Sequence, residues 1–193
     1  LCRTVDETMD FTTALVQTDI VKDVDSYIAA LAFETPVQHD QYKEKRNQLM
    51  LQTLPPILKL SPLMTSDQMV TIESMVTSIA AATKILDMAL AHCTGASGYI
   101  KVLSAAYNRG SEAYKKAVGE LAAKNTARFL TQNPTKEDVN EFSRIASAVL
   151  SAAQKSTLAL FLLKISDSNA DQLEMAEKIT DQNVSREFLL SYL

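Results

Sequence analysis

Apolar residues along most of this chain recur at alternating steps of three and four, the spacing that places side chains on one face of an α-helix. One such series consists of Met69, Ile72, Val76, Ile79, Thr83, Leu86, Leu90 and Cys93. A second series runs from Ile100 to Leu121 through Gly110, and a third runs from Val139 to Leu163. The spacing predicts three long helices of about 30 residues each. It places Gly110 inside the second helix, where another backbone approaches closely.

Capping boxes mark where helices should begin. In a capping box, a short polar side chain and a glutamate or glutamine three residues later each bond the other's backbone amide. Such boxes start at Thr4, Thr35, Thr65 and Asn169, and Thr135 starts a near match. The sequence therefore predicts at least five helices.

Two segments depart from this regular pattern. Leu54, Pro55 and Pro56 should interrupt any helix there, because proline lacks an amide hydrogen and clashes with the preceding turn. The segment from Leu158 to Ile165 is apolar on every side. This composition predicts a helix end that is buried all round.

The composition favours the same fold class. Apolar residues make up 47% of the chain and charged residues 22%, which is enough to build a buried core. Four glycines and five prolines leave few turns for β-hairpins. We therefore predict a single all-α domain over residues 1–193, an elongated antiparallel bundle of five to seven helices.

Charge and hydropathy limit the classes of partner. The formal net charge is −4 and the isoelectric point is about 5.2. Nucleic-acid-binding surfaces need clustered lysine and arginine, so this balance predicts no nucleic-acid partner. The chain has no run of about 18 or more apolar residues, so no transmembrane segment is predicted.

The N-terminus and the cysteines point to secretion. The chain begins with Leu1 rather than methionine, so we expect a processed extracellular form whose signal peptide has been removed. A disulfide between Cys2 and Cys93 would fit that compartment. The alternative is two unrelated thiols, since free cysteines are often buried. Asn183 opens an N-glycosylation sequon and is a candidate glycan site.

No motif for catalysis, metal binding or cofactor binding is recognisable. The two histidines, His39 and His92, lack the glutamate three residues earlier that a di-metal bundle needs. Zinc-type spacings of cysteine and histidine do not occur, and four scattered glycines cannot form a phosphate-binding loop. The sequence therefore predicts a protein that is not an enzyme and that binds no cofactor or metal.

Aromatic and basic side chains occur together along one predicted helix, as they do in surfaces that bind anions or stack on rings. The candidate partner surface consists of Tyr99, Lys101, Arg109, Lys115 and Lys116. The facing positions of the long helices hold many small residues, which leaves little room for a cavity. The sequence therefore favours a non-catalytic extracellular protein that binds a protein partner through its helix faces. Oligomerisation through exposed helix faces is left open.

Methionine and leucine support a second function. The chain has seven methionines, whose flexible thioethers fill irregular apolar space. The candidate apolar pocket consists of Met75, Met88, Leu158, Leu160, Phe161 and Leu163. The alternative function is accordingly a carrier of a hydrophobic small molecule or lipid between helices. An enzyme of unrecognised type ranks last, because no residue is visibly poised for chemistry.

Overall fold

The structure is a computed structural model that describes residues 4–32, 40–60, 65, 67–68, 71–72, 75–76, 78–165, 169–180 and 189. Over these residues the chain forms helices, turns and connectors without a strand, which confirms the all-α class. The chain divides into two compact units, Leu1–Cys93 and Thr94–Leu193. One domain over residues 1–193 and an elongated bundle both stay predictions.

Ten helices lie in the described residues. In the first unit they are α1 (Val5–Val16), α2 (Val24–Leu31), α3 (Asp40–Leu60) and α4 (Ile79–His92). In the second unit they are α5 (Ala96–Arg109), α6 (Glu112–Lys124), α7 (Thr126–Leu130), α8 (Lys136–Ala146), α9 (Ala152–Ile165) and α10 (Asn169–Ile179). The described helices outnumber the predicted five to seven because each of the three predicted long helices is divided.

Each division coincides with a serine at the start of the next helix. The hydroxyls of Ser78, Ser111 and Ser151 accept hydrogen bonds from the backbone amide three residues later, at 3.2, 3.3 and 3.3 Å respectively. A serine in this position satisfies an amide that would otherwise be unpaired, so it favours a new helix start. The apolar spacing continues on both sides of each serine and therefore does not reveal the break.

Gly110 is not inside a helix, so that prediction was wrong. Helix α5 ends at Arg109, and Gly110 has an extended backbone with φ −78° and ψ 155°. A Cβ atom at Gly110 would lie 2.5 Å from Cδ1 of Tyr114. Gly110 therefore permits a close approach, but to a side chain of the following helix rather than to the backbone of a partner helix.

The prediction that Leu54, Pro55 and Pro56 interrupt any helix at that point was also wrong. Helix α3 continues through Pro55 and Pro56. The neighbouring side chains of Leu54 and Leu58 are fully buried, and that of Ile57 is 7% exposed. An interior proline costs about 3 kcal/mol, whereas burying each of these side chains contributes about 1.5–3 kcal/mol. Packing of this segment into the core therefore offsets the local cost.

Helix α9 is buried on one face rather than all round, which corrects the prediction for the segment from Leu158 to Ile165. The buried residues of this segment are Leu158, Ala159, Leu162 and Leu163. Leu160 and Phe161 are half-buried, and Ile165 is 39% exposed. A helix that is apolar on every side gives no sign of which side faces the core.

Three predicted capping boxes are confirmed. Thr4, Thr65 and Thr135 each exchange both hydrogen bonds of a capping box with the residue three positions later, at 2.9 to 3.3 Å. Helix α10 begins at Asn169, within one residue of its predicted start. The box predicted at Thr35 lies outside the described residues. Short-range capping chemistry therefore located helix starts more accurately than the apolar spacing located helix ends.

Tyr27 is fully buried in the first unit. Its hydroxyl lies 2.9 Å from Oγ1 of Thr53, and the Thr53 hydroxyl donates to the carbonyl oxygen of Leu49 at 2.7 Å. Burial raises the pKa of Tyr27 to about 12, because the ionised phenolate would lose its hydration.

This raised pKa predicts a loss of stability at alkaline pH. In an unfolded chain a tyrosine ionises near pH 10, so the contribution of Tyr27 is fully present below that pH and is lost as pH rises towards about 12. At about pH 11 the loss should be about 1 kcal/mol. We expect Tyr27→Phe to make the free energy of unfolding, measured with urea at about pH 8 and about pH 11, fall less than in the wild type. An equal fall in both proteins would contradict the prediction.

Candidate functional site

A groove of about 500 Å³ lies between α8, α9 and α10 of the second unit. It is lined by Asn140, Ser143, Arg144, Ser147, Leu150, Lys155, Met175, Lys178 and Ile179. Helix α8 provides the first three of these residues, α9 provides Lys155, and α10 provides the last three. The connector between α8 and α9 provides the other two. Volumes of this size are typical of pockets that bind small molecules.

Helix α8 is held in place by an aromatic cluster on its opposite side. Phe142 and Phe129 are fully buried and stacked, with ring centroids 4.3 Å apart and an interplanar angle of 5°. Tyr99 lies 5.6 Å from the Phe129 ring and 6.5 Å from the Phe142 ring, centroid to centroid. Because these rings fix α8, they also fix the groove residues that α8 carries.

Helix α10 is positioned by apolar packing on α9. The buried residues of this contact are Ala159, Leu163, Leu173 and Ala176, and Leu189 and the half-buried Leu160 belong to the same apolar cluster. The apolar part of the groove consists of Leu150, Met175 and Ile179. Nδ2 of Asn140 lies 2.9 Å from Sδ of Met175, which links α8 to α10 at the groove.

Ser143 is a buried polar residue in the lining of the groove. Its side chain is 8% exposed, and its Oγ atom has no hydrogen-bond partner among the described residues. A buried hydroxyl without a partner costs about 1–3 kcal/mol, so native structures rarely keep one without a reason. Ser143 lines the groove, so a polar group of a ligand there would meet this enclosed hydroxyl once the serine side chain rotates towards it.

Arg144 is fixed in orientation at the edge of the groove. Its Nε and Nη2 atoms each donate to the Glu141 carboxylate at 2.7 Å, and Nη2 also lies 3.3 Å from Oδ1 of Asn108. The guanidinium carbon lies 5.0 Å from the centre of the Tyr107 ring. The Ser104 hydroxyl donates to the same carboxylate at 2.6 Å.

These contacts keep both charges present near neutral pH. The hydrogen bonds from Arg144 hold the pKa of Glu141 below its ordinary value, although partial burial opposes this effect. The Glu141 carboxylate in turn raises the pKa of Arg144. An exposed ion pair of this kind adds little stability, so its main consequence is a guanidinium held in one position beside the groove.

The structure corrects one member of the predicted partner surface. Tyr99 is fully buried in the aromatic cluster, so it cannot contact a partner. Lys101, Arg109 and Lys116 are exposed, as a surface role requires. Lys115 is half-buried; its Nζ lies 2.8 Å from the Glu112 carboxylate and 6.0 Å from the centre of the Tyr107 ring. Whether the four basic residues form a partner surface stays a prediction.

The predicted apolar pocket residues do not come together in one unit. Met75 and Met88 belong to the first unit, and the other four, Leu158, Leu160, Phe161 and Leu163, belong to α9 in the second. Leu158 and Leu163 are core residues, and none of the six lines the groove. The signal that could have located the groove is Ser143, a serine among the apolar core positions of α8.

The first unit also has a cavity, of about 410 Å³. Its lining consists of Glu44, Asn47, Gln48, Leu51, Ser78, Ala80, Ala81 and Lys84. One acidic and one basic residue leave this lining without net charge, and its apolar residues are Leu51, Ala80 and Ala81. It therefore selects a ligand less sharply than the groove of the second unit does.

The predicted disulfide and glycan cannot be placed. Cys93 is half-buried, and its Sγ lies 3.4 Å from the carbonyl oxygen of Ala89. Cys2 and Asn183 lie outside the described residues, so both modifications stay predictions. Within the described ranges, no three or more histidine, cysteine, aspartate or glutamate residues are grouped as a metal site would require.

No described helix combines the length and the apolar character that crossing a bilayer would require. The sequence matches no protein-family model, and no curated protein and no solved structure is significantly similar to it. A functional assignment therefore depends on the residues of the groove itself.

Proposed function

We propose that this protein is a non-catalytic extracellular binding protein, and that the groove between α8, α9 and α10 takes up a small molecule with an apolar body. The observation that carries the proposal is the hydroxyl of Ser143, which is buried in the lining and lacks a partner among the described residues. A bound polar group would satisfy it and recover the free energy that its burial costs.

The rest of the lining supports a ligand with two different ends. Leu150, Met175 and Ile179 offer apolar contact, whereas Arg144, Lys155 and Lys178 offer positive charge. Small-molecule sites commonly combine an apolar wall with a few polar groups that fix the orientation of the ligand. The groove therefore resembles a carrier site, although it lies elsewhere than the pocket predicted from the sequence.

Binding rather than catalysis is favoured by what surrounds the serine. A nucleophilic serine needs a base within hydrogen-bonding distance to remove its proton. The groove is lined by no histidine and no carboxylate, and Ser143 has no such hydrogen bond in the described part of the chain. Secretion, the disulfide between Cys2 and Cys93 and the glycan at Asn183 belong to the same proposal.

A protein partner bound through helix faces is the second candidate function. It is favoured by the exposed basic side chains of Lys101, Arg109 and Lys116 on α5 and α6. Replacing these three residues with glutamate should abolish partner binding under this candidate. If the protein instead acts through the groove, the same variant should still bind the groove's ligand.

Native mass spectrometry of protein purified from its own source tests the first proposal. We expect a non-covalent adduct of a few hundred daltons that disappears on denaturation. Ser147 is exposed and lines the groove, so Ser147→Trp should fill the groove and remove the adduct.

The neighbouring Ala148 is exposed but does not line the groove. Ala148→Trp therefore adds the same indole beside the groove without filling it, and this variant should keep the adduct. An adduct of equal intensity in both variants would place the ligand elsewhere and contradict the proposal.

A further inference from the structure

We infer that the ligand of the groove is a single-chain carboxylate, an amphiphile of the fatty-acid type. This inference rests on the proposed function and specifies the class of ligand. Of the described residues, Arg144, Lys155 and Lys178 line the groove, and none of those that line it is an aspartate or a glutamate. Glu141 pairs with Arg144 from outside the lining, so the further positive charge of the groove is that of Lys155 and Lys178. This charge attracts an anion and repels an amine of the same length.

Ser143 and Arg144 mark the polar end of the site. Both line the groove, and both are carried by α8. A hydroxyl that donates to a carboxylate forms a charge-assisted hydrogen bond, which is stronger than one to a neutral acceptor. Because Glu141 and the Tyr107 ring already fix Arg144, its guanidinium needs no reordering when the anion binds.

The apolar end of the ligand is limited by the groove. Leu150 is 8% exposed, and Met175 and Ile179 are half-buried, so each contributes a restricted apolar area. A volume of about 500 Å³ lies in the range of drug-sized ligands. One alkyl chain suits this space better than the two chains of a membrane lipid.

Tryptophan fluorescence provides the assay, because the chain contains no tryptophan. Ala148→Trp introduces one fluorophore outside the lining, next to Ser147, which lines the groove. The full-length variant is titrated with decanoate, decylammonium and decanol, which share a chain length and carry a negative, a positive and a neutral head. We expect decanoate to bind at least about tenfold more tightly than either of the others.

Charge and hydroxyl variants, each in the Ala148→Trp background, locate the head of the probe. Replacing both Lys155 and Lys178 with glutamine should weaken decanoate binding about tenfold and leave decanol binding unchanged. The matched control is Lys164→Gln, which removes an exposed lysine of α9 that does not line the groove. This control should change neither affinity.

Ser143→Ala should weaken decanoate binding about threefold to tenfold. Its control is Ser156→Ala, which removes a half-buried hydroxyl that donates to the carbonyl of Ala152 outside the groove. The unliganded Ser143→Ala protein should melt at or above the wild-type temperature, because the change removes a buried hydroxyl without a partner. A lower melting temperature would mean that Ser143 has another role and would overturn the inference.

The outcomes separate this inference from the proposed function. Equal affinity for the three probes overturns the carboxylate assignment and leaves a general apolar carrier. No binding of any probe, together with the absence of a native adduct, overturns both. Binding to phosphatidylglycerol vesicles without binding of monomeric decanoate would assign the positive charge to a membrane surface and overturn the inference.

Discussion

Phe142→Ala is expected to lower the free energy of unfolding by about 3–5 kcal/mol and to abolish binding in the groove. Phe142 is fully buried, and its ring is stacked on that of Phe129. Alanine would leave a cavity between α8, which carries Phe142, and α7, which carries Phe129, and it would remove the stacking contact. Helix α8 carries Asn140, Ser143 and Arg144, so a loosened α8 also displaces the polar part of the groove.

Urea-induced unfolding followed by circular dichroism measures this loss, and Phe161→Ala is the matched control. Phe161 is half-buried on α9, so its removal should cost about 1 kcal/mol. Similar losses in the two variants would contradict the central role of the aromatic cluster. The same curves test the predicted single domain. If Phe142→Ala shifts only one of two separate transitions, the two units unfold independently.

Gly119→Leu is expected to destabilise the second unit by about 1–3 kcal/mol. A Cβ atom at Gly119 would lie 3.0 Å from the backbone carbonyl oxygen of Ile145 and 3.6 Å from Cγ2 of Val149. The carbonyl belongs to α8, so it can move away only if the helix itself shifts. Leucine has a much higher helix propensity than glycine, and a loss of stability would therefore isolate the steric effect.

Gly98→Leu is the matched control for this change. Gly98 lies in α5, and a Cβ atom there would have no atom within 4 Å among its described surroundings. Leucine at this position should raise the free energy of unfolding by about 0.5–1 kcal/mol, because glycine weakens a helix. Opposite signs for the two variants, measured by urea-induced unfolding, are the expected result. The same sign in both would mean that α6 and α8 do not approach as closely as the structure has them.

The capping chemistry shows how far local sequence signals reach. Thr4, Thr65 and Thr135 were identified from the sequence because each is followed three residues later by a side chain that can complete a box. The box at Asp23 was missed. Its third helical residue is Ser26, whose hydroxyl lies 2.6 Å from the Asp23 carboxylate and 3.2 Å from the Asp23 amide nitrogen. Serine in that role falls outside the glutamate or glutamine rule.

The groove could not be predicted from the sequence for a different reason. Its residues come from three helices and a connector, and they are up to 39 positions apart in the chain (179 − 140 = 39). The methionine and leucine pattern pointed instead to Leu158 and Leu163, which pack in the core. Apolar side chains that fill a core and those that line a cavity have the same composition, so sequence patterns alone do not separate them.

The sequence by itself determined the all-α class and several helix starts, since these depend on side chains within one or two helical turns. Only the tertiary structure decided that α3 continues through Pro55 and Pro56, that Tyr99 is buried, and that Ser143 lines the groove. Each of these outcomes depends on which distant helix covers a given face. Burial against a distant helix contributes a free energy that can exceed a local preference, and the local sequence does not record it.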